Sequence, residues 1–167
     1  MDTSLIYQKI GEFVVSFQWL EHRLREIGWL IIDPKRNSWP PKELRDDTNV
    51  QLLNKIETLY IRFLKVSEIT DKEKKITSFK ETIASLHGHR KYRNLLLHSA
   101  YIEIHRVDDS EEIWRSNPKL KYADGDRVFD TETLTPEKID KVMLQMAHDA
   151  LTINKCYNQA LQLAGKY

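Results

Sequence analysis

The sequence predicts an all-α fold of four long helices in an up-down bundle, with a small β-hairpin or β-sheet insertion between the third and fourth. Three observations predict it. Four stretches repeat apolar residues at steps of three and four, the period of an amphipathic helix. From about 100 to 130 the pattern changes to partial alternation with turn signals, which is strand-like. The breaks between the helical stretches are mostly short, as antiparallel neighbours in a bundle require. With 167 residues and no internal repeat, the chain reads as a single domain spanning 1–167.

From Ser4 to about Ile32, apolar Ile6, Ile10, Phe13, Phe17, Leu20, Leu24, Ile27 and Ile31 define the first helix. It stops at Asp33-Pro34, because the residue before a proline is pushed out of the α region. Trp19 and Trp29 flank the stripe. Glu21 lies one turn from Phe17 and Leu24, where a carboxylate needs a partner or water. It either pairs with Arg93 or Arg90 and orients it, or stands at the edge in solvent. Residues 33–47 carry three prolines, mixed charge and no period, and read as a loop with a short turn at Lys42 to Arg45. Trp39, before Pro40-Pro41, is expected to cover one end of the bundle rather than to bind a ligand.

Thr48 or Asn49 can cap a second helix to about Val66, with Leu52, Ile56, Leu59 and Phe63 on one face. Thr70-Asp71-Lys72-Glu73 fits a capping box opening the third helix, which runs through Ile76, Phe79, Ile83 and Leu86. Gly88 interrupts it at about 1 kcal/mol relative to Ala, so a bend or a close backbone approach is expected there. Tyr101 to Val107 then reads as a strand, Asp108-Asp109-Ser110 as a turn, and Glu112-Ile113-Trp114-Arg115 as a returning strand. Leu120 to Tyr122 and Arg127 to Phe129 flank Ala123-Asp124-Gly125-Asp126, where Asp-Gly is a hairpin signal. Thr135-Pro136 opens the last helix, with proline at the first position, where its missing N–H is not needed. Ile139, Met143, Met146, Ala150, Ile153, Tyr157, Leu161 and Leu163 carry its apolar side.

A hydrophobic content of 41% with 31% charged residues excludes a disordered or membrane chain. No apolar run approaches the ~20 residues of a membrane span, and the N-terminus has no basic head before an apolar run, so the expected location is cytoplasmic. The single Cys156 excludes an internal disulfide framework. A net charge of +1 argues against general electrostatic binding of long nucleic acid, so any contact with RNA is expected through a local patch. Between Asp71 and Arg93 seven basic residues face three acidic ones, which suits either a phosphate-tracking face or an ordinary solvated one. His87 and His89, two apart on a helix, point to nearly opposite sides, so no metal site is expected. No glycine-rich phosphate loop and no Gly-x-Ser-x-Gly is present.

The chemistry concentrates in Arg93-Asn94-Leu95-Leu96-Leu97-His98, which puts a guanidinium, an amide and an imidazole within little more than one helical turn. Asn94 and His98, four apart, share a helix face. Arg93 and His98 stand about 140° apart around the axis. They meet at one small group only if the arginine wraps round, the helix end distorts, or a two-fold axis brings two copies of the motif together. The structural alternative is a histidine satisfying the last helix carbonyls beside an ordinary surface arginine.

In its context of flanking long helices, this stretch resembles the signature of the HEPN superfamily, an arginine, a polar residue, a short run and a histidine. The resemblance covers most of the chain in helix order, while only this motif matches residue by residue. It implies a metal-independent endoribonuclease without a cofactor, acting as a homodimer in a toxin-antitoxin or host-defence setting, with RNA as substrate and an antitoxin or another protein as partner. Arg93, Asn94 and His98 would then be catalytic, supported by Glu21, Arg90, Lys91 and Tyr101. Imidazoles titrate near neutral pH, so His98 can take the proton of an RNA 2′-hydroxyl while Arg93 holds the phosphate and Asn94 orients the ring or donates to phosphate. The products would be a 2′,3′-cyclic phosphate and a 5′-hydroxyl. Some toxins of this superfamily carry a tyrosine two residues after the histidine; here Ala100 stands there and Tyr101 comes third. The alternative is a non-catalytic HEPN-like module for dimerisation, nucleotide binding or protein interaction, with Tyr101, Trp114 and Tyr122 offering anchors for a partner.

Overall fold

The computed structural model describes residues 3–35, 37, 41–108, 111–123 and 126–164, without the side chains of 118–129. The chain is mostly helical, with elements α1 (Thr3–Ile32), α2 (Lys42–Arg45), α3 (Asn49–Val66), α4 (Lys72–Leu97), β1 (Ala100–His105), β2 (Glu111–Ala123), β3 (Asp126–Leu134) and α5 (Pro136–Ala164). The four expected long helices form, and the expected short turn at Lys42 to Arg45 closes as the one-turn helix α2, so the described residues hold five helices rather than four. No helix among the described residues is long and apolar enough to cross a membrane. Two compact units emerge, one from Met1–Ser16 and Lys91–Gln145, the other from Phe17–Arg90 and Met146–Tyr167.

The first unit holds the sheet, antiparallel in the order β1-β2-β3. Ala100 pairs with Ser116 and His105 with Glu111 across β1 and β2, and Ile113 pairs with Leu134 across β2 and β3. The two short strands expected at 112–115 and 120–122 are one continuous β2, with a register shift between Asn117 and Lys121. Pro118 explains the irregularity. It lacks an N–H and is tolerated in a strand only at a bulge or an edge, and it lies past Ser116, where pairing with β1 has ended. The Asp124-Gly125 turn and the Asp109-Ser110 turn lie outside the described residues, as do Trp39 and the Tyr122 side chain. Ile6, Phe13, Leu96, Ile113, Leu134 and Ile139 are buried. Phe13 and Tyr92 meet edge to face at 5.3 Å and 82°, and the Lys9 ammonium of α1 reaches the Asp140 carboxylate of α5 at 2.9 Å.

In the second unit α1 contributes Phe17, Leu20, Leu24, Ile27, Trp29 and Leu30, all buried. Each such side chain contributes roughly 1.5–3 kcal/mol. On α3 the buried face is Leu52, Leu53, Ile56, Tyr60 and Leu64, while Leu59 and Phe63, expected on it, are half-buried. Tyr60 enters the core because its hydroxyl donates to Gln159 Oε1 at 3.1 Å, which satisfies the one polar atom that would oppose burial. Ile76, Phe79, Ile83 and Leu86 of α4 are buried as expected. The inward line of α5 is Met146, Asp149, Ile153, Cys156, Ala160 and Leu163, whereas Ala150 and Tyr157 are half-buried and Leu161 is exposed.

The helix starts differ in chemistry. A capping box forms at Thr48, whose N–H donates to Gln51 Oε1 at 2.9 Å while its hydroxyl accepts from the Gln51 N–H at 3.5 Å. The box expected at Thr70 does not form. Asp71, directly before α4, has φ of 54°, a left-handed conformation rather than the extended one a cap adopts. Gly88 lies in open space, so no close approach explains it. Gly28 does mark one, since a β-carbon there would meet Ile56 and lie 2.7 Å from Leu44 Cδ1, both side chains being fully buried.

Candidate functional site

The motif occupies the last turn of α4. Its helix ends at Leu97, and the His98 N–H still donates to the Asn94 carbonyl at 3.0 Å, so His98 closes one further turn. Only His98 and Ser99 separate α4 from β1. So short a link leaves the imidazole at a corner between helix and strand, where it is exposed and has no hydrogen-bond or ion-pair partner among the described residues. Arg93, half-buried one turn earlier, donates from Nη1 to Asn94 Oδ1 at 3.1 Å. The amide oxygen of Asn94 is thus committed to the guanidinium, not to the ring of His98. The buried Nε of Arg93 has no hydrogen-bond partner among the described residues.

The corner is held from below by Arg115, Glu132, Asp130, Ser99 and Tyr101, of which the sequence had marked only Tyr101 as a site residue. Arg115 on β2 is 2% exposed, and its Nε donates to Glu132 Oε1 at 2.9 Å while Nη1 donates to Ser99 Oγ at 3.2 Å. Asp130 adds a longer ion pair at 3.8 Å. Ser99 Oγ in turn donates to the Leu95 carbonyl at 2.5 Å, and the Tyr101 hydroxyl to the Leu96 carbonyl at 2.7 Å. Two of the last carbonyls of α4, which lack helical partners, are therefore satisfied by side chains from the following strand segment. The capping is carried by Ser99 and Tyr101, and the His98 side chain is left uncommitted.

Electrostatics follow from this packing. Burial pushes the Tyr101 phenol up to about 12, with Arg115 pulling against it, so the hydroxyl remains a donor at all ordinary pH. Burial also raises the Tyr92 phenol, reinforced by Glu132 and opposed by Arg115. Arg115 is matched by Glu132 and Asp130, as a buried cation must be. Positive charge open to a ligand at the corner then comes from Arg93 and from exposed Lys91.

Of the residues expected to support the motif, Tyr101 is engaged in helix capping, and Lys91 is in solvent. Glu21 is 8% exposed and so is not the solvated edge residue of one expectation. Glu21 and Arg90 belong to the second unit, whereas Lys91, Arg93, Asn94, His98 and Tyr101 belong to the first. The structure groups Arg93, Asn94 and His98 on one helix end. No family model, no curated protein and no solved structure matches this chain.

A second polar cluster was also missed. In the second unit His89 Nε2 lies 2.8 Å from Asp149 Oδ2, and Ser85 Oγ donates to the same oxygen at 2.6 Å. His89 and Asp149 are 5% and 3% exposed. This joins α4 to α5 through a carboxylate in the inward line of α5, and its burial gives it a packing role. His87, on another side of α4, lies 3.2 Å from Asn54 Oδ1. Among the described residues no three His, Cys, Asp or Glu side chains gather to hold a metal ion. The signals available in the sequence were spacing. Ser85 and His89 are four apart, and Asp149 falls three after Met146 and four before Ile153. Arg115 falls two after Ile113, on the same face of its strand.

Proposed function

We propose that this chain is a HEPN-like domain, its four long helices arranged as an up-down bundle, that cleaves RNA without a metal ion in a toxin-antitoxin or host-defence setting. The observation that carries the reading is the exposed, uncommitted imidazole of His98 one turn from the Arg93–Asn94 pair. A general base must reach its substrate proton, and a histidine used as a cap cannot. Here Ser99 and Tyr101 relieve it of that task.

In the proposed reaction His98 accepts the proton of a 2′-hydroxyl, and the 2′-oxygen attacks the adjacent phosphorus. The bond from phosphorus to the 5′-oxygen breaks, and that oxygen takes up a proton from solvent. The unengaged N–H groups of Arg93 hold the nonbridging oxygens as charge builds on them. The Asn94 amide nitrogen, left over from its contact with Arg93, donates to the same phosphate. Because Arg93 and His98 point about 140° apart on an ideal helix, the proposal includes a homodimer in which each Arg93 serves the partner's His98.

The test is cleavage of a mixed RNA pool by purified protein in excess EDTA, beside His98→Ala, with product ends identified. Cyclic-phosphate ends from the wild type and none from the variant are expected. Since the His98 side chain is exposed and has no hydrogen-bond or ion-pair partner among the described residues, a folded but inactive variant is expected and informative. Absence of cleavage by the wild type would refute general ribonuclease activity and move the weight to a non-catalytic module that binds a partner through the same corner.

A further inference from the structure

We infer that Ser99, oriented by Arg115, is a positioning residue that fixes the backbone carrying His98; its effect on the rate of cleavage rests on the ribonuclease reading. An exposed imidazole serves a reaction only if the chain beneath it holds still, because a misplacement of about 1 Å can cost about 100-fold in rate. At the end of α4 three successive carbonyls are taken up in order. The His98 N–H donates to Asn94 at 3.0 Å, the Ser99 hydroxyl to Leu95 at 2.5 Å and the Tyr101 hydroxyl to Leu96 at 2.7 Å. His98 is thereby pinned on both sides of its Cα, although the regular helix ends at Leu97. What stays free is the imidazole, turning about its own torsions.

Arg115 decides which way the Ser99 hydroxyl points. A guanidinium has donors and no acceptor. With Arg115 Nη1 donating to Ser99 Oγ at 3.2 Å, the oxygen accepts on that side and its single proton is directed to the Leu95 carbonyl. Arg115 is itself fixed, being 2% exposed and donating from Nε to Glu132 Oε1 at 2.9 Å. It also stands directly opposite Tyr101 in the ladder between β1 and β2, and its charge pulls on the Tyr101 phenol. One buried side chain therefore serves both capping hydroxyls. The placement of His98 is set by residues of β2 and β3 as well as by α4, and neither Ser99 nor Arg115 belongs to the Arg93–His98 motif.

RNA cleavage kinetics of the full chain, well below the melting temperature of each variant, test the proposal together with amide exchange of the His98 N–H read by NMR. Ser99→Ala should lower kcat by about tenfold or more and leave KM within about twofold, because alignment is lost while substrate contacts survive. The His98 N–H should exchange about tenfold faster. That rate follows local opening of the helix end, so a loss of stability spread over the whole fold leaves it unchanged. Ser99→Thr keeps a hydroxyl that can bond the carbonyl four residues earlier, and should bring both readouts to within about threefold of wild type. Arg115→Lys keeps a cation for Glu132 but loses the fork that reaches Ser99 at the same time. It should match Ser99→Ala, and the double variant should lose no more kcat than either single one. Unchanged kcat in Ser99→Ala beside an active wild type overturns the proposal, as does unchanged His98 exchange or failure of Ser99→Thr to rescue. Additive losses in the double variant overturn the part of Arg115. If the wild type cleaves no RNA, the ribonuclease reading falls, and the exchange rates still decide whether Ser99 holds His98 in place.

Discussion

Asp149→Ala should be among the most destabilising single changes in this protein. The carboxylate accepts from Ser85 Oγ at 2.6 Å and lies 2.8 Å from His89 Nε2, with His89 and Asp149 both buried. Its removal strands a hydroxyl and an imidazole nitrogen, which among the described residues keep only each other at 3.4 Å. A stranded buried polar group costs about 1–3 kcal/mol, and removing Asp149 strands two groups at once, about 2–6 kcal/mol together. The expected loss is therefore about 2–6 kcal/mol, against a total stability of roughly 5–15 kcal/mol. In a chain of this length that lowers the melting temperature by roughly 4–24 °C. Urea unfolding followed by far-ultraviolet circular dichroism reads the loss as a lower midpoint at an unchanged slope. Asp149→Asn, which retains an acceptor, should lose less than half as much. Ser85→Ala with Asp149→Ala should be strongly non-additive, because the hydroxyl has nothing to lose once the carboxylate is gone. A loss below about 1 kcal/mol for Asp149→Ala would refute the assignment of this cluster as a buried, mutually dependent network.

The two kinds of glycine separate cleanly. Gly28→Ala should destabilise by about 1–3 kcal/mol in urea titration, because the new methyl group meets fully buried Leu44 and Ile56. Gly88→Ala, in open space on a helix, should stabilise by about 0.5–1 kcal/mol in the same assay. Tyr101→Phe should remove about 1 kcal/mol by freeing the Leu96 carbonyl. The folded phenol titrates near about 12 and the unfolded one near ~10, so its contribution is complete below pH ~10 and fades as pH rises through about 12. The difference between wild type and Tyr101→Phe should accordingly be constant at neutral pH and shrink only in strong alkali. Cys156, buried and with its thiol pushed up, should react with iodoacetamide at least about tenfold more slowly in the native protein than in urea, as mass spectrometry of quenched samples would show.

The helices were legible because each carries its own period and its own stop. Asp33-Pro34 ends α1 where expected, Thr48 caps α3, and Thr135-Pro136 opens α5, each through chemistry local to a few residues. The register of burial was less legible. A stripe of apolar residues defines a face only to within about one residue, or about 100°. Leu59 and Phe63 therefore gave way to Tyr60 and Leu64 on α3, where a hydrogen bond to Gln159 made a tyrosine the better core residue. On α5 the same uncertainty hid Asp149, since a carboxylate is normally assigned to the outside until its partners are known. The join of the two expected strands into β2 was hidden by Pro118, which reads as a breaker unless the irregularity and the end of β1 are seen.

The candidate site divides the same way. Arg93, Asn94 and His98 are neighbours on one helix end by sequence spacing, and no tertiary information was needed to group them. What spacing leaves open is which side chain caps the helix and which stays available. That was decided by Ser99, Tyr101 and Arg115, brought under the helix end by strand pairing between residues as distant as Ala100 and Ser116. The sequence by itself determined the long helices, their ends apart from the start of α4, and the composition of the motif, because these rest on interactions within a turn or two of chain. The tertiary structure alone decided the partners of buried Arg115 and Asp149 and the freedom of His98, because a buried polar group or a spare donor is defined only by what the rest of the chain places beside it.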